Sequence, residues 1–247
     1  MKKEIISVVI PCFNSREVIK RSVDSVLNQT YKDIEVLVID DASEDDTLDI
    51  LENYKDQRLK VLSLPFNTGS PVIPRNTGIL KSVGKYVAFL DSDDYWASNK
   101  LEAQIEQMQL NASSFSCTSY IVKDLNGFSH KRKVPLVSSY SDTLALNKIG
   151  CSTVMINREL VSNYLFSDRR LEDYDLWLRI LKDGNTILGV DEYLMTYIKS
   201  NNSRSTFNLA QLTAYLNLFK RFEKLNTLQA LAHCLSYLIR RLVWSKI

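Results

Sequence analysis

Two stretches place carboxylates where they could do chemistry. Asp91, Asp93 and Asp94 follow directly behind the apolar run Tyr86 to Leu90, and Asp40 and Asp41 follow directly behind Glu35 to Ile39. Asp and Asn are common in turns, so one acidic loop is ordinary. Two of them behind buried-looking runs are less so, because like charges repel and no Lys or Arg intervenes within Asp91 to Asp94. Oxygen-only ligands favour a hard divalent cation. Mg²⁺ or Mn²⁺ takes one or two carboxylates and completes its shell with water and substrate phosphates, and Asp-x-Asp after a strand suits that chemistry.

The elements that must position these acids follow from periodicity. Ile5 to Ile10, Glu35 to Ile39, Leu59 to Leu64 and Tyr86 to Leu90 read as strands, the first ended by Pro11. Ile19, Val23, Val26 and Leu27 recur at helical spacing, and Leu48, Leu51 and Tyr54 do so after Ser43-x-x-Asp46, a capping-box-like start. Alternation of this kind predicts an α/β fold with a mostly parallel, doubly wound sheet through about residue 95. Ligands of such sheets bind outside the carboxyl ends of the strands. There the sequence places Pro11, Phe13 and Asn14, then Asp40 and Asp41, then Asp91, Ser92 and Asp93.

Composition bounds what the chain does. At 247 residues, 45% hydrophobic and 24% charged, it has enough apolar material for a sizeable core and is unlike a disordered chain. A net charge of +2 does not call for nucleic acid as a partner. Cys12, Cys117, Cys151 and Cys234 form no CxxC pair, which argues against a zinc knuckle or a disulfide framework and for a reducing cytosol. The apolar stretch near the N-terminus is too short for a signal-peptide core or a membrane span. Neither a Walker-type phosphate loop nor a G-x-G-x-x-G turn follows the first strand, so nucleotide hydrolysis on a P-loop and dinucleotide-dependent oxidoreduction are disfavoured.

Taken together, "SVVIPCFNSREVIKRSVDSVLNQTYKDIEVLVIDDASEDDT", "PRNTGI", "GKYVAFLDSDDYW" and "LEDYDLWLRI" resemble the family 2 glycosyltransferases, over about residues 5 to 200. The resemblance implies a GT-A fold, with a Rossmann-like, mostly parallel central sheet flanked by helices. It implies an inverting transfer of one sugar from a UDP-sugar to a hydroxyl of a glycan or undecaprenyl-diphosphate-linked acceptor. The setting would be bacterial surface polysaccharide: O-antigen, capsule or lipooligosaccharide.

Residue by residue, Pro11 and Phe13 match the loop flanking the uracil, and Asp41 matches the carboxylate that accepts from the base N3–H, a proton cytosine lacks. Asn14 and Ser92 lie in the same two loops. Asp93 is the expected ligand of Mn²⁺ or Mg²⁺, with Asp91 nearer the ribose or sharing the metal and Asp94 assisting either role. Arg75 matches an Ala-Arg-Asn motif facing the nucleotide, although Pro74 stands where the family has Ala. Asp173 is the expected catalytic base and Glu172 its support or substitute; a helix-capping pair is the plain reading of both. Tyr197 to Ser205 resembles a loop that closes over the donor phosphates, with Lys199 and Arg204 as phosphate contacts and no His ligand. Trp96, Tyr120 and Trp177 are candidates to stack on a sugar, with core packing the commoner fate.

The chain divides into residues 1–115 for the nucleotide-sugar, 116–206 for the acceptor and a helical tail at 207–247. In the tail, Leu228, Leu231, Leu235, Leu238 and Ile239 adjoin Arg240, Arg241, Val243 and Trp244. This pattern fits a helix lying on an anionic membrane, here the cytoplasmic face of the inner membrane, or equally one packed on the catalytic domain or in a homo-oligomer. A sugar nucleotidyltransferase and a non-catalytic carbohydrate-binding protein are the other function classes.

Overall fold

The computed structural model describes residues 4–124, 126–199 and 209–244; Arg204 and the side chain of Trp244 lie outside what is described. The first half alternates strand and helix: β1 (Ile6–Cys12), α1 (Ile19–Leu27), β2 (Ile34–Asp40), α2 (Thr47–Glu52), β3 (Leu59–Ser63), α3 (Val72–Lys81) and β4 (Tyr86–Phe89). All four strands run parallel in the order β3-β2-β1-β4. Every residue of β1, β2 and β4 is buried, which is why these runs are apolar on both faces instead of alternating. Alternate side chains divide between two cores. Val8, Ile10 and Val38 meet Ile19 and Val23 of α1, whereas Val9, Leu37 and Phe89 meet Ile79 of α3.

Two local expectations are corrected. β1 does not stop at Pro11 but runs through it to Cys12. The ladder with β4 closes with Leu90 N donating to Val9 O (3.1 Å), so the amide that Pro11 lacks faces a side where β4 has already ended. Nor is α2 started by a capping box. Its flanking residue Asp46 makes no side-chain cap, and Ser43 instead donates to Asp40 at the end of β2. Asp45 Oδ1 accepts from Thr47 N at 3.0 Å in its place.

The second half comprises β5 (Tyr95–Trp96), α4 (Lys100–Leu110), β6 (Phe115–Asp124), β7 (Ser129–Arg132), β8 (Val137–Ser138), α5 (Tyr140–Ala145), β9 (Met155–Asn157), α6 (Arg158–Ser162), α7 (Glu172–Lys182) and β10 (Ile187–Lys199). These strands extend the same sheet as β4-β9-β6-β10-β5, with β9 antiparallel to both of its neighbours. Trp96 and Trp177 are buried in the two cores, so packing, not sugar stacking, accounts for them. Two tail helices follow, α8 (Leu209–Glu223) and α9 (Thr227–Trp244). Tyr215, Leu218, Phe219 and Phe222 of α8 join Cys234 and Tyr237 of α9 against Tyr174 and Leu178 of α7. One face of the tail therefore packs on the helix that begins with Glu172 and Asp173. Among the described residues no helix is long and apolar enough to cross a membrane.

Candidate active site

The carboxyl ends of β1, β2 and β4 open on one rim, and side chains tie their loops together. Asn14, in the left-handed region (φ 45°) that Asn tolerates, donates its backbone N–H to Ser43 Oγ (2.9 Å) and accepts from Glu44 N (2.8 Å). Ser15 Oγ and Ser92 Oγ stand 3.0 Å apart, joining the loop after β1 to the acidic loop after β4. Pro11 is buried and Phe13 is 41% exposed, an apolar ring open to the rim. Asp41 is buried and accepts from Thr68 twice: from Oγ1 at 2.8 Å and from the backbone N–H at 3.0 Å. Thr68 lies in the loop between β3 and α3, so the carboxylate fixes that loop and keeps further lone pairs for a ligand.

The three acids after β4 have separate environments. Asp94 turns inward, where Ser152 Oγ (2.6 Å) and Ile198 N (3.1 Å) donate to its two oxygens. Burial, then the charges of Asp91 and Asp93, hold its carboxyl well above the usual range. Ser152 belongs to a 3-10 turn, Cys151–Thr153, and also accepts from Asp91 N at 3.0 Å. Asp93 is pushed up to about 6, first by desolvation and next by Asp91. Arg21 grips its backbone O at 2.5 Å, while no side chain among the described residues pairs with its carboxylate. Asp91 is about a third exposed, and its Oδ1 lies 2.6 Å from Arg75 Nη2.

Arg75 connects this loop to α7. It lies one turn into α3, 4% exposed, with Phe166 across its face (5.3 Å to the ring centroid). Nη2 serves Asp91 and Nη1 serves Glu172 Oε1 at 3.1 Å, while Nε is buried without a partner among the described residues. The neighbouring Asn76 exchanges two bonds with the backbone of Phe166 (2.9 and 2.8 Å). Two consecutive residues of α3 thus fix the approach to α7. Close packing beneath them requires Gly78, because a Cβ there would stand 2.3 Å from Val9 Cγ1.

At the start of α7, Leu171 adopts the left-handed conformation (φ 63°) and caps the helix with no side-chain bond. Asp173 is partly buried, and its Oδ1 accepts from Tyr174 N at 2.7 Å. Desolvation and the adjacent Glu172 raise its carboxyl to about 7, against the lowering influence of Arg75 and the Tyr174 amide. Such a group changes protonation near neutrality, which suits a general base. Beneath it, Cys151 is buried, and its thiol is pushed well up by burial despite Arg75 nearby. Lys199 is exposed at the end of β10, immediately after the residue whose amide binds Asp94.

The arrangement joins Asp91, Arg75, Glu172 and Asp173 in one continuous group, with Asp93 beside it. No set of three or more Cys, His, Asp or Glu among the described residues could hold a metal alone. Asp91 and Asp93 nevertheless fit a hard cation shared with a phosphate ligand, since Asp93 is desolvated, next to a like charge and, among the described residues, in no ion pair, with Arg21 and Arg75 acting on it only through their charge.

Comparison with known proteins identifies the family. Glycosyl transferase family 2 matches residues 7–161. The Escherichia coli UDP-Glc:alpha-D-GlcNAc-diphosphoundecaprenol beta-1,3-glucosyltransferase WfgD is 35% identical over 224 residues, covering 91% of this chain and 85% of that protein. Staphylococcus aureus TarS 1-349 in complex with UDP-GlcNAc shares the fold at a TM-score of 0.75 and 22% identity, over 94% of this chain and 71% of that one. The mannosyltransferase PcManGT from Pyrobaculum calidifontis, in complex with GDP-Man and Mn²⁺, does so at 0.68 and 17%, over 95% and 70%. The chain belongs to glycosyl transferase family 2: it is an inverting glycosyltransferase of GT-A fold.

Proposed function

We propose that this enzyme transfers one sugar from a UDP-sugar to a hydroxyl of an undecaprenyl-diphosphate-linked glycan, at the cytoplasmic face of the inner membrane, in the synthesis of a surface polysaccharide. The observation that carries the reading is the Arg75 bridge, which sets a carboxylate near neutrality on α7 and a desolvated acidic loop after β4 on either side of one guanidinium. WfgD, by its name, uses UDP-Glc and a diphosphoundecaprenol acceptor, and TarS binds UDP-GlcNAc; both support the donor and acceptor classes.

In this reading Asp41 accepts from the uracil N3–H, and the ring of Phe13 flanks the base. Asp173 takes the proton of the acceptor hydroxyl as its oxygen attacks the anomeric carbon from the side opposite the diphosphate, which inverts that centre. Glu172, held by Arg75, fixes the first turn of α7 so that Asp173 faces the acceptor. Lys199, exposed at the end of β10, is the proposed contact of the donor phosphates. Mn²⁺ or Mg²⁺ bound by Asp93 and Asp91 would neutralise charge on the departing diphosphate. Holding donor and acceptor side by side lowers the entropic part of the barrier.

The test is transfer to a synthetic diphosphate-lipid GlcNAc acceptor with UDP-, GDP- and dTDP-sugars, each with and without Mn²⁺. Product from a UDP-sugar, lost in Asp173→Asn and Asp93→Ala, is expected. Product from GDP-sugars alone would overturn the role given to Asp41.

A further inference from the structure

α9 carries two opposed sets of apolar side chains. Ala230, Cys234 and Tyr237 are buried, and Cys234 and Tyr237 lie against α8 and α7. Leu228, Leu231, Leu235, Ile239, Leu242 and Val243 turn outward, each between 44% and 78% exposed. Steps of three and four residues stack the outward set into one stripe, about 22 Å long at a rise of about 1.5 Å per residue. A continuous stripe of large aliphatic side chains in water marks an interaction surface, unlike single scattered ones.

The charges around the stripe select the partner. α9 contains no Asp or Glu, exposed Arg240 flanks the stripe, and exposed Lys224 precedes the helix. A second copy of the chain would bring the same apolar stripe edged by the same positive charges. An anionic lipid surface offers hydrocarbon for the leucines and negative headgroups for the cations. We propose that the outward face of α9 lies in the plane of an anionic membrane, buried to the headgroup–acyl boundary.

This placement has a catalytic consequence independent of the donor chemistry. Tyr237 of α9 stacks on Tyr174 (centroids 6.0 Å apart), the residue directly after Asp173. With α9 on the bilayer, the first turn of α7 stands about one helix layer, roughly 10 Å, above the lipid. An acceptor sugar on a lipid-borne diphosphate reaches that height.

The test is co-sedimentation of the full chain with vesicles of phosphatidylcholine alone and of phosphatidylcholine containing phosphatidylglycerol. The wild type is expected to bind the anionic vesicles more tightly. Leu235→Asp with Ile239→Asp should weaken that binding at least about tenfold, and Lys224→Gln with Arg240→Gln several-fold, with less dependence on salt. Soluble UDP-sugar hydrolysis and the thermal melt should stay unchanged in both variants, because these side chains point to solvent. Hydrolysis is scored apart from sedimentation, so failure of the catalytic reading and failure of this one are distinguishable. The proposal is overturned if the wild type remains in the supernatant with both vesicles, or if the paired aspartates bind as well as wild type. It is equally overturned if light scattering shows a wild-type dimer that those aspartates dissolve without any vesicle binding.

Discussion

Arg75 Nη1 lies 3.1 Å from Glu172 Oε1, across 97 residues of sequence, and the same guanidinium lies 2.6 Å from Asp91. One buried cation therefore fixes the distance between the loop that follows β4 and the helix that carries Asp173. Arginine suits the position because its planar fork presents separate N–H groups to two acceptors at once, which a lysine ammonium on a flexible stem does less well. Residues that the sequence places far apart act here as one electrostatic unit.

Arg75→Met is expected to destabilise the fold by about 3 kcal/mol in denaturant unfolding, since it leaves two carboxylates without their buried partner. It should lower kcat by about a hundredfold or more while KM for the donor rises only a few-fold, because the damage falls on the position of α7. Arg75→Lys should recover most of the stability and little of kcat. A variant with normal kcat and only a raised donor KM would mean that Arg75 serves the nucleotide alone.

With Asp173 as the proposed base, the pH response of transfer should follow its carboxyl. As a base it must be ionised, and with its carboxyl near 7 the kcat/KM should fall about tenfold per pH unit below that value. Asp173→Asn should lose about a thousandfold in kcat and abolish this limb. Stability runs the other way. A raised folded-state value means that the neutral acid is preferred in the fold, so its contribution is present at low pH and is lost as pH rises through about 7. Asp173→Asn should therefore melt above wild type at pH 8 and not at pH 4; the opposite order would show that its charge stabilises the fold.

The parallel half of the fold was legible because buried strands leave a local trace: continuous apolar runs, each followed by the polar residues of a crossover. The acids at the strand ends could be read for the same reason, since a parallel sheet delivers successive strand ends to one edge. Hidden from sequence were the side chains that fix those acids. Thr68 on Asp41, Ser152 on Asp94 and Asn76 on Phe166 are 27, 58 and 90 residues from their partners, and no periodicity links such pairs. Ser43 shows the converse. Its spacing to Asp46 matched a capping box, but the buried Asp40 carboxylate, three residues before it, accepts its hydroxyl hydrogen instead. Pro11 misled as a strand end because the sequence does not show that the neighbouring strand stops first.

Asp93 and Asp94 are adjacent yet should behave differently. Asp93→Asn is expected to abolish the stimulation of transfer by Mn²⁺ without lowering the melting temperature, since no side chain among the described residues is paired with that carboxylate and its raised value means that the charge is disfavoured in the fold. Asp94→Ala leaves Ser152 Oγ and the Ile198 amide unpaired in the interior and should cost about 1–3 kcal/mol. Asp94→Asn keeps the shape and an acceptor oxygen, so it should retain most of the activity. Loss of Mn²⁺ response in Asp94→Asn with a normal melt would place Asp94 on the metal after all.

Thr68 offers the cleanest probe of the nucleotide end, because it touches Asp41 and none of the reacting groups. Thr68→Val removes the 2.8 Å hydroxyl bond but keeps the shape and the backbone N–H at 3.0 Å, so Asp41 stays buried with one partner fewer. A net hydrogen bond of about 1 kcal/mol corresponds to roughly a five-fold effect, expected on donor KM, with kcat held within about two-fold. Binding of free UDP, followed by calorimetry, should weaken by the same factor, because the change acts on the base pocket and not on the sugar. If UDP binding is untouched while the protein melts at a lower temperature, the bond between Thr68 and Asp41 serves only to fasten the loop before α3, and recognition of the base must rest on other groups.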